Sequence, residues 1–289
     1  MRKLALLIAV LVFPLSAAAE TIRLGDRWYE IALPAKAKNA PLILALHGGG
    51  GDPEQFASAS GFARAANRAG FAVVFPAGSG RRGERLLTWN GGYCCGYAAR
   101  LGVDDLGFLK AVISDAAERY GVDGTGVYLT GMSNGSIMAE TFAAQNPGLV
   151  RAVAGVSGTM DTGQTRVLGK VPALIIHGTA DANVPYEGGQ GTSSLTRTEF
   201  ASVASVVKAF LAPWAGVQTD PSRTIDRKDD GTSVIVTDYR KGGRVVLRLM
   251  TVEGGGHHWP GGRKARMAEG KTQEIDANTE ILRFFAANP

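Results

Sequence analysis

Five residues, Gly131-Met132-Ser133-Asn134-Gly135, limit the possible folds of this chain more than any other feature. They follow a strand-like run, Gly126-Val-Tyr-Leu-Thr130, and lead into a helix-like run over residues 136–144. A serine framed by glycines in this context marks a sharp strand-to-helix turn. The missing Cβ atoms let strand and helix close on each other and throw the hydroxyl forward. In a chain with 39 glycines, chance supplies roughly a quarter of such a match, so the surroundings must carry the reading.

Those surroundings alternate. Residues 27–33 read as an edge strand, and residues 41–46 as a short buried strand running into His47-Gly48-Gly49-Gly50-Gly51. Residues 56–69 read as a helix and residues 71–75 as a buried strand stopped by Pro76. Residues 77–103 are irregular, with glycines, arginines, Trp89 and Cys94-Cys95. Asp104-Asp105 reads as a cap for a helix over 106–120, because carboxylates suit the free N–H groups and positive end of a helix. Strands over 150–156 and 171–176, a helix over 199–214, a strand pair over 232–238 and 245–250 and a last helix over 278–287 complete the series. Short apolar strands between helices predict an α/β fold with a mostly parallel central sheet and helices on both faces. With no separating linker, residues 20–289 are expected to form one domain without a large lid.

The N-terminus bears on where the chain works. Met1-Arg2-Lys3 precedes an apolar run over 4–15 and then Ser16-Ala17-Ala18-Ala19-Glu20, the pattern of a secretory signal peptide cut after Ala19. The run is too short to span a bilayer, and no Cys follows the cut for lipid attachment. The expectation is a secreted or periplasmic protein with no membrane partner after cleavage; a retained N-terminal anchor is the alternative. Cleavage removes two of the positive charges behind the formal +5. The mild excess left, without a basic cluster interleaved with aromatics, predicts no nucleic-acid partner. The oligomeric state is left open.

The two cysteines, Cys94 and Cys95, are adjacent. This is neither a metal spacing nor a redox C-x-x-C pair. A bridge between them would close an eight-membered ring and lock a turn; two free thiols are the alternative. Either state is a matter of local shape rather than catalysis.

In such a sheet, reactive groups belong in loops at the carboxyl ends of strands. Ser133 is the candidate nucleophile, and a serine hydroxyl needs an adjacent base at neutral pH. The chain has four histidines. His47 belongs to the glycine loop and His177 ends a strand, which leaves His257 or His258, after Glu253-Gly254-Gly255-Gly256. His257 follows its strand on three glycines that let the loop fold toward Ser133. Asp181, in His177-Gly-Thr-Ala-Asp181, is the candidate acid that orients the imidazole; turn-making is its plainer role. The order Ser, Asp, His fits a known chain order for this triad. Backbone N–H groups of Asn134 and Gly49 are candidate oxyanion donors. Trp89, Asn90, Tyr93, the cysteine pair and Trp259 are expected to wall the substrate pocket, with ordinary core packing of the aromatics as the equal alternative.

At Leu46-His47-Gly48-Gly49-Gly50, Trp89-Asn90, Cys94-Cys95-Gly96, Gly102-Val-Asp-Asp-Leu-Gly-Phe108, Gly131-Met-Ser-Asn-Gly135, His177-Gly-Thr-Ala-Asp181 and Gly254-Gly-Gly-His-His-Trp-Pro-Gly261 the chain resembles the secreted polyhydroxybutyrate depolymerase and feruloyl esterase-like proteins. The resemblance covers about residues 25–288. It implies an α/β-hydrolase fold, carboxylic ester hydrolysis with no cofactor or metal, and His257 as the base. The chain departs at Ser136, where members often have Gly, and at His258, where they often have Thr. Family depolymerases of solid polyester often carry a C-terminal binding domain, and this chain stops after its last helix, which predicts weaker attack on solid polymer.

The expected substrate is therefore an ester: a feruloyl or acetyl ester of a polysaccharide, or a hydroxyalkanoate oligomer. Two rival readings use the same residues. An acyltransferase would pass the acyl group to a sugar hydroxyl, and a binding protein on this fold would be catalytically silent.

Overall fold

The computed structural model describes residues 20–81, 83–194, 196–262 and 270–289. The expected export segment, residues 1–19, lies outside them. The chain opens with a hairpin of β1 (Glu20–Leu24) and β2 (Arg27–Ala32). It continues through β3 (Pro41–Leu46), helices α1 (Pro53–Ser60) and α2 (Phe62–Arg68), β4 (Ala72–Pro76), α3 (Gly96–Leu101) and α4 (Asp105–Tyr120). The central crossovers are β5 (Asp123–Met132), α5 (Asn134–Gln145), β6 (Val150–Val156), β7 (Ala173–Gly178) and α6 (Val203–Leu211). Short strands β8 (Gln218–Thr219) and β9 (Arg223–Ile225), a hairpin of β10 (Ser233–Lys241) and β11 (Arg244–Glu253), and α7 (Ala277–Ala286) end it.

The strands form one sheet in the order β1-β2-β4-β3-β5-β6-β7-β11-β10-β8, with β9 on β10. The six strands from β4 to β11 in that order run parallel, and antiparallel hairpins close both edges. Side chains alternate along each strand, so the apolar runs serve two cores. Leu42, Leu44 and Leu46 of β3 pack with Leu109 and Val112 of α4, Met138 and Phe142 of α5, and Val206 and Phe210 of α6. Ile43 and Ala45 pack on the other face with Phe62 of α2 and Ile281, Phe284 and Phe285 of α7. This is the expected α/β-hydrolase architecture, a mostly parallel sheet covered on both faces. Among the described residues no helix is long and apolar enough to cross a membrane.

Several boundaries differ from the sequence expectation. The helix expected over 56–69 is two helices broken at Gly61, whose φ of 62° is left-handed and whose N–H bonds Ala57 O. The helix expected over 199–214 shrinks to α6. Ser202 caps it by accepting from Ser205 N, and Phe200 is drawn into a bridge with Gly189. The irregular stretch 77–103 contains α3, and β1, β8 and β9 add edge strands too short or too polar to announce themselves.

The packing that positions the site is tightest where β3 meets the start of α5. A Cβ on Gly135 would overlap the carbonyl oxygens of Leu46 and His47. The end of β3 and the first turn of α5 can therefore touch only because residue 135 has no side chain.

Candidate active site

Ser133 occupies the turn between β5 and α5 at φ 57° and ψ −126°. A residue with a Cβ rarely adopts this conformation, and it costs about 1–3 kcal/mol unless the surroundings enforce it. Here they do. The Ser133 N–H is tied to Val156 O at 2.9 Å, Ile137 N–H bonds Ser133 O at 3.0 Å, and Gly135 packs on β3. The side chain faces a cavity of about 760 Å³ that it shares with His257, Gly49, Asn134, Ile137, Val184 and Phe200.

His257 lies on the loop after β11. Its Nδ1 is 2.8 Å from Asp181 Oδ2, whose side chain is fully buried on the loop after β7. The other carboxylate oxygen accepts from the N–H groups of Asn183 and Val184, each at 2.9 Å. Burial alone would raise the Asp181 pKa. The hydrogen bond and charge of His257, the nearby His177 and the Val184 N–H outweigh it and hold the carboxyl below its ordinary value. An ionised Asp181 accepts the Nδ1–H of His257 and leaves Nε2 with its lone pair, the tautomer a base requires. Asp181 and His257 are thus in direct contact. Ser133 and His257 line one cavity, and the Ser133 hydroxyl makes no hydrogen bond among the described residues. In the free state of such sites the nucleophile–base hydrogen bond is often long and tightens with substrate.

His258 is engaged elsewhere. It is buried, with Nδ1 3.0 Å from Gly256 O and Nε2 accepting from Thr272 N–H at 3.2 Å. That holds the loop that presents His257. His177 is also buried. Its Nε2 lies 2.8 Å from Val184 O and 3.5 Å from Asp181 Oδ2, and burial lowers its pKa, which keeps it neutral.

Gly49 and Asn134 line the same cavity side by side. The Cβ position of Gly49 lies 3.5 Å from Asn134 Cβ, and Asn134 is the first residue of α5, where helix N–H groups lack internal partners. Neither N–H has a backbone acceptor outside helices and strands among the described residues. The loop bearing Gly49 is fixed by buried His47. Its Nε2 accepts from Gly78 N–H at 3.0 Å, and its Nδ1 is 2.8 Å from Gly48 O. Desolvation pulls the His47 pKa down to about 4. It is therefore neutral at pH 7, with the proton on Nδ1 donated to Gly48 O.

Four expected wall residues lie elsewhere. Trp89 is fully buried. Its Nε1–H donates to His47 O at 2.9 Å, and its backbone is clamped by the Asn134 amide, which accepts from Trp89 N–H at 2.7 Å and donates to Trp89 O at 3.0 Å. Trp89 therefore braces the oxyanion-side loop from behind. Asn90 donates to Val103 O, and its N–H bonds the buried Asp105, itself paired with Arg27 at 2.7 Å. Trp259 packs edge-on against Phe56 and Phe62 and donates to Asn278. Each indole finds its acceptor in the core, which a cavity wall would not supply. Tyr93 stands behind Phe200, with ring centroids 5.7 Å apart, and accepts from Ala201 N–H. Cys94 and Cys95 do line the cavity, with their Sγ atoms against each other.

Sequence reasoning missed Glu140. It is buried in α5, two turns on from Ser133, and accepts from Met160 N–H at 2.8 Å, with Ser136 Oγ at 3.3 Å. The signal was there: the one charged side chain in a helix of small, apolar and neutral polar residues. Desolvation outweighs both hydrogen bonds and raises its pKa to about 8. A folded carboxyl titrating above its unfolded value adds stability in full below the unfolded pKa. That stability is lost as pH rises through the folded pKa, here between about 4.5 and 8. Glu140→Gln copies the neutral form, with the amide oxygen on Met160 N–H and the amide nitrogen on Ser136. Urea denaturation of wild type and variant across pH 5 to 8 checks this. The variant is expected to gain relative stability steadily with pH, by several kcal/mol at the top of the range. A constant difference would refute the burial argument. His47 acts in the opposite sense, since its stability is present above pH 6.5 and lost as pH falls toward 4.

Among the described residues no three His, Cys, Asp or Glu side chains gather as a metal-holding group. Over 247 residues the chain is 32% identical to "Putative esterase NocK" of Nocardia uniformis subsp. tsuyamanensis, covering 79% of this chain and 68% of that protein. It is 28% identical to "Feruloyl esterase B" of Piromyces equi over 228 residues, covering 76% of this chain but only 40% of that protein. The fold superposes on an acetyl xylan esterase from Aspergillus awamori with a TM-score of 0.57 at 15% identity, covering 93% of this chain and 100% of that one. Residues 28–167 match the family model described as Esterase PHB depolymerase, and the chain belongs to that family of esterases.

Proposed function

We propose that this esterase hydrolyses carboxylic esters through an acyl-enzyme on Ser133, outside the cytoplasm, with residues 20–289 acting as one domain. The observation that carries the reading is the His257–Asp181 hydrogen bond opening on the same cavity as a serine held on a strained turn. Ser133 Oγ attacks the ester carbonyl carbon while its proton passes to His257 Nε2. The carbonyl oxygen becomes an oxyanion that accepts from the Gly49 and Asn134 N–H groups. Collapse breaks the bond to the alcohol oxygen, which leaves with the proton from His257. Water then attacks the acyl carbon, gives a proton to His257, and a second collapse frees the acid and returns a proton to Ser133. Asp181 stabilises the imidazolium in both halves.

Two relatives suggest the substrate class. Proteins named feruloyl esterase and poly(3-hydroxyalkanoate) depolymerase are 28% and 29% identical over 228 and 123 residues. Ethyl ferulate, acetylated xylan, p-nitrophenyl acetate and hydroxyalkanoate oligomers form the test panel. Turnover of at least one is expected, and turnover of none by folded protein would overturn the reading.

The oxyanion assignment has its own test. Gly49→Pro removes one donor. Losing such a donor costs about 100- to 1000-fold in kcat with little change in KM. Gly49→Ala keeps the N–H, and its Cβ would sit in ordinary contact with Asn134, so it controls for crowding. Equal activity in the two variants would remove Gly49 from the mechanism.

A further inference from the structure

We propose that the cavity selects esters bearing a carboxylate on one side of the ester bond, with Arg81, Arg85 and Arg100 binding that carboxylate; this deepens the esterase reading above and rests on it. The three arginines line the same cavity as Ser133 and His257, and among the described residues no Asp or Glu does. All three are exposed, and none makes an ion pair or a side-chain hydrogen bond among the described residues. The acid on the loop of Arg81 and Arg85, Glu84, is paired with Arg23 instead.

The arginines are carried on anchored backbone. The loop holding Arg81 and Arg85 is pinned at its base by the Ser79–Thr88 bridge, with reciprocal N–H to O bonds of 2.9 Å, and by Gly50 N–H to Leu87 O at 2.7 Å. Arg100 sits in the last turn of α3, which follows Cys95 directly. A solvated surface normally mixes charge signs. A cavity mouth lined by one sign focuses the field and concentrates ligands of the opposite sign, and planar guanidinium groups suit the two oxygens of a carboxylate.

The depth of the cavity has the other character. Cys94, Ile137, Val184 and Phe200 are all buried apolar groups beside the nucleophile. Leu86 projects at the rim, 66% exposed and at a positive φ of 53°. The site therefore fits an ester with an apolar part near Ser133 and an anion several bonds away. Two substrate classes share that chemistry: hydroxyalkanoate oligomers with a free carboxyl end, and acyl esters on oligosaccharides bearing uronic acid.

The test compares phenyl butyrate with 3-carboxyphenyl butyrate, which carries the anion on the alcohol side as both classes do, each rate normalised to its hydroxide-catalysed hydrolysis. At low salt, kcat/KM is expected to favour the anionic ester by about tenfold or more, and added salt should shrink the ratio. The exposed triple variant Arg81→Gln, Arg85→Gln, Arg100→Gln should lose that preference and keep its rate on the neutral ester. A second arm separates the sources: free against methyl-capped hydroxyalkanoate trimer, and acetylated xylo-oligosaccharide with and without a glucuronic acid branch. Preference for the free carboxyl in one pair identifies the class. Neutral ester hydrolysed without charge preference overturns the proposal alone. Failure on every ester overturns the esterase reading and this proposal with it. Equal losses by the triple variant on both phenyl esters also overturn it.

Discussion

Ser133→Ala is expected to lower kcat on p-nitrophenyl acetate by about 10⁴- to 10⁶-fold. Replacing the hydroxyl with hydrogen removes the atom that forms the acyl bond, and no second hydroxyl stands at the turn. Ser136 is buried and engaged with Glu140. What survives is the polarisation of the carbonyl by the oxyanion donors, enough for weak attack by water. The loss should fall on kcat, since the cavity that binds the ester is unchanged. The variant should remain folded, and the strained φ of 57° is tolerated no less by Ala than by Ser. Circular dichroism checks folding, and burst-phase kinetics check chemistry: wild type should release one equivalent of p-nitrophenol before steady state, the variant none. A fluorophosphonate should label wild type at Ser133 and leave the variant unmodified. Activity within tenfold of wild type would end the mechanism. The same labelling decides against a silent binding protein, because only an activated serine reacts. A sugar acceptor added to the wild-type assay separates transfer from hydrolysis.

Much of this was legible because the decisive signals are local. The turn at Ser133 announces itself through Gly131 and Gly135, and the close approach of Gly135 to β3 is the reason for that spelling. Apolar runs of strand length revealed the parallel core, since strands buried on both faces have no polar side to show. The Asp181–His257 contact followed from chain order and from both residues ending parallel strands. What escaped is long-range. Trp89 and Trp259 look like pocket aromatics in sequence, and only the fold reveals that each indole N–H has an acceptor in the core. Nothing in residues 77–103 says that the loop bends back so that Leu87 accepts from Gly50, so the arginines at the cavity mouth read merely as loop polarity. Glu140 was visible as an oddity, but its burial depends on the packing of α5 against β6.

The second large effect concerns the residue farthest from the reacting atoms. Asp181→Asn is expected to reduce kcat by about 10⁴-fold while leaving the fold intact. The reasoning is one of proton inventory. In the wild type, Oδ1 takes two backbone N–H groups and Oδ2 takes the His257 Nδ1–H. An amide must keep its oxygen toward Asn183 and Val184, because an amide nitrogen there would face two donors. Its NH₂ then faces His257 and can only donate. His257 must accept at Nδ1 and carry its proton on Nε2, the wrong tautomer for taking the Ser133 proton. The turn over 181–184 survives, so stability should change little. His177 gives no rescue: its Nε2, 3.5 Å from the carboxylate, already bonds Val184 O at 2.8 Å. The pH profile separates this account from simple damage. Raising pH supplies hydroxide as an alternative base, so the variant's rate should keep climbing where wild type has levelled. Asp181→Ala, which imposes no tautomer, should fall less far than Asp181→Asn if its fold holds. An Asn variant within tenfold of wild type, or one whose pH profile parallels it, would reduce Asp181 to a turn-former and leave His257 without an orienting acid.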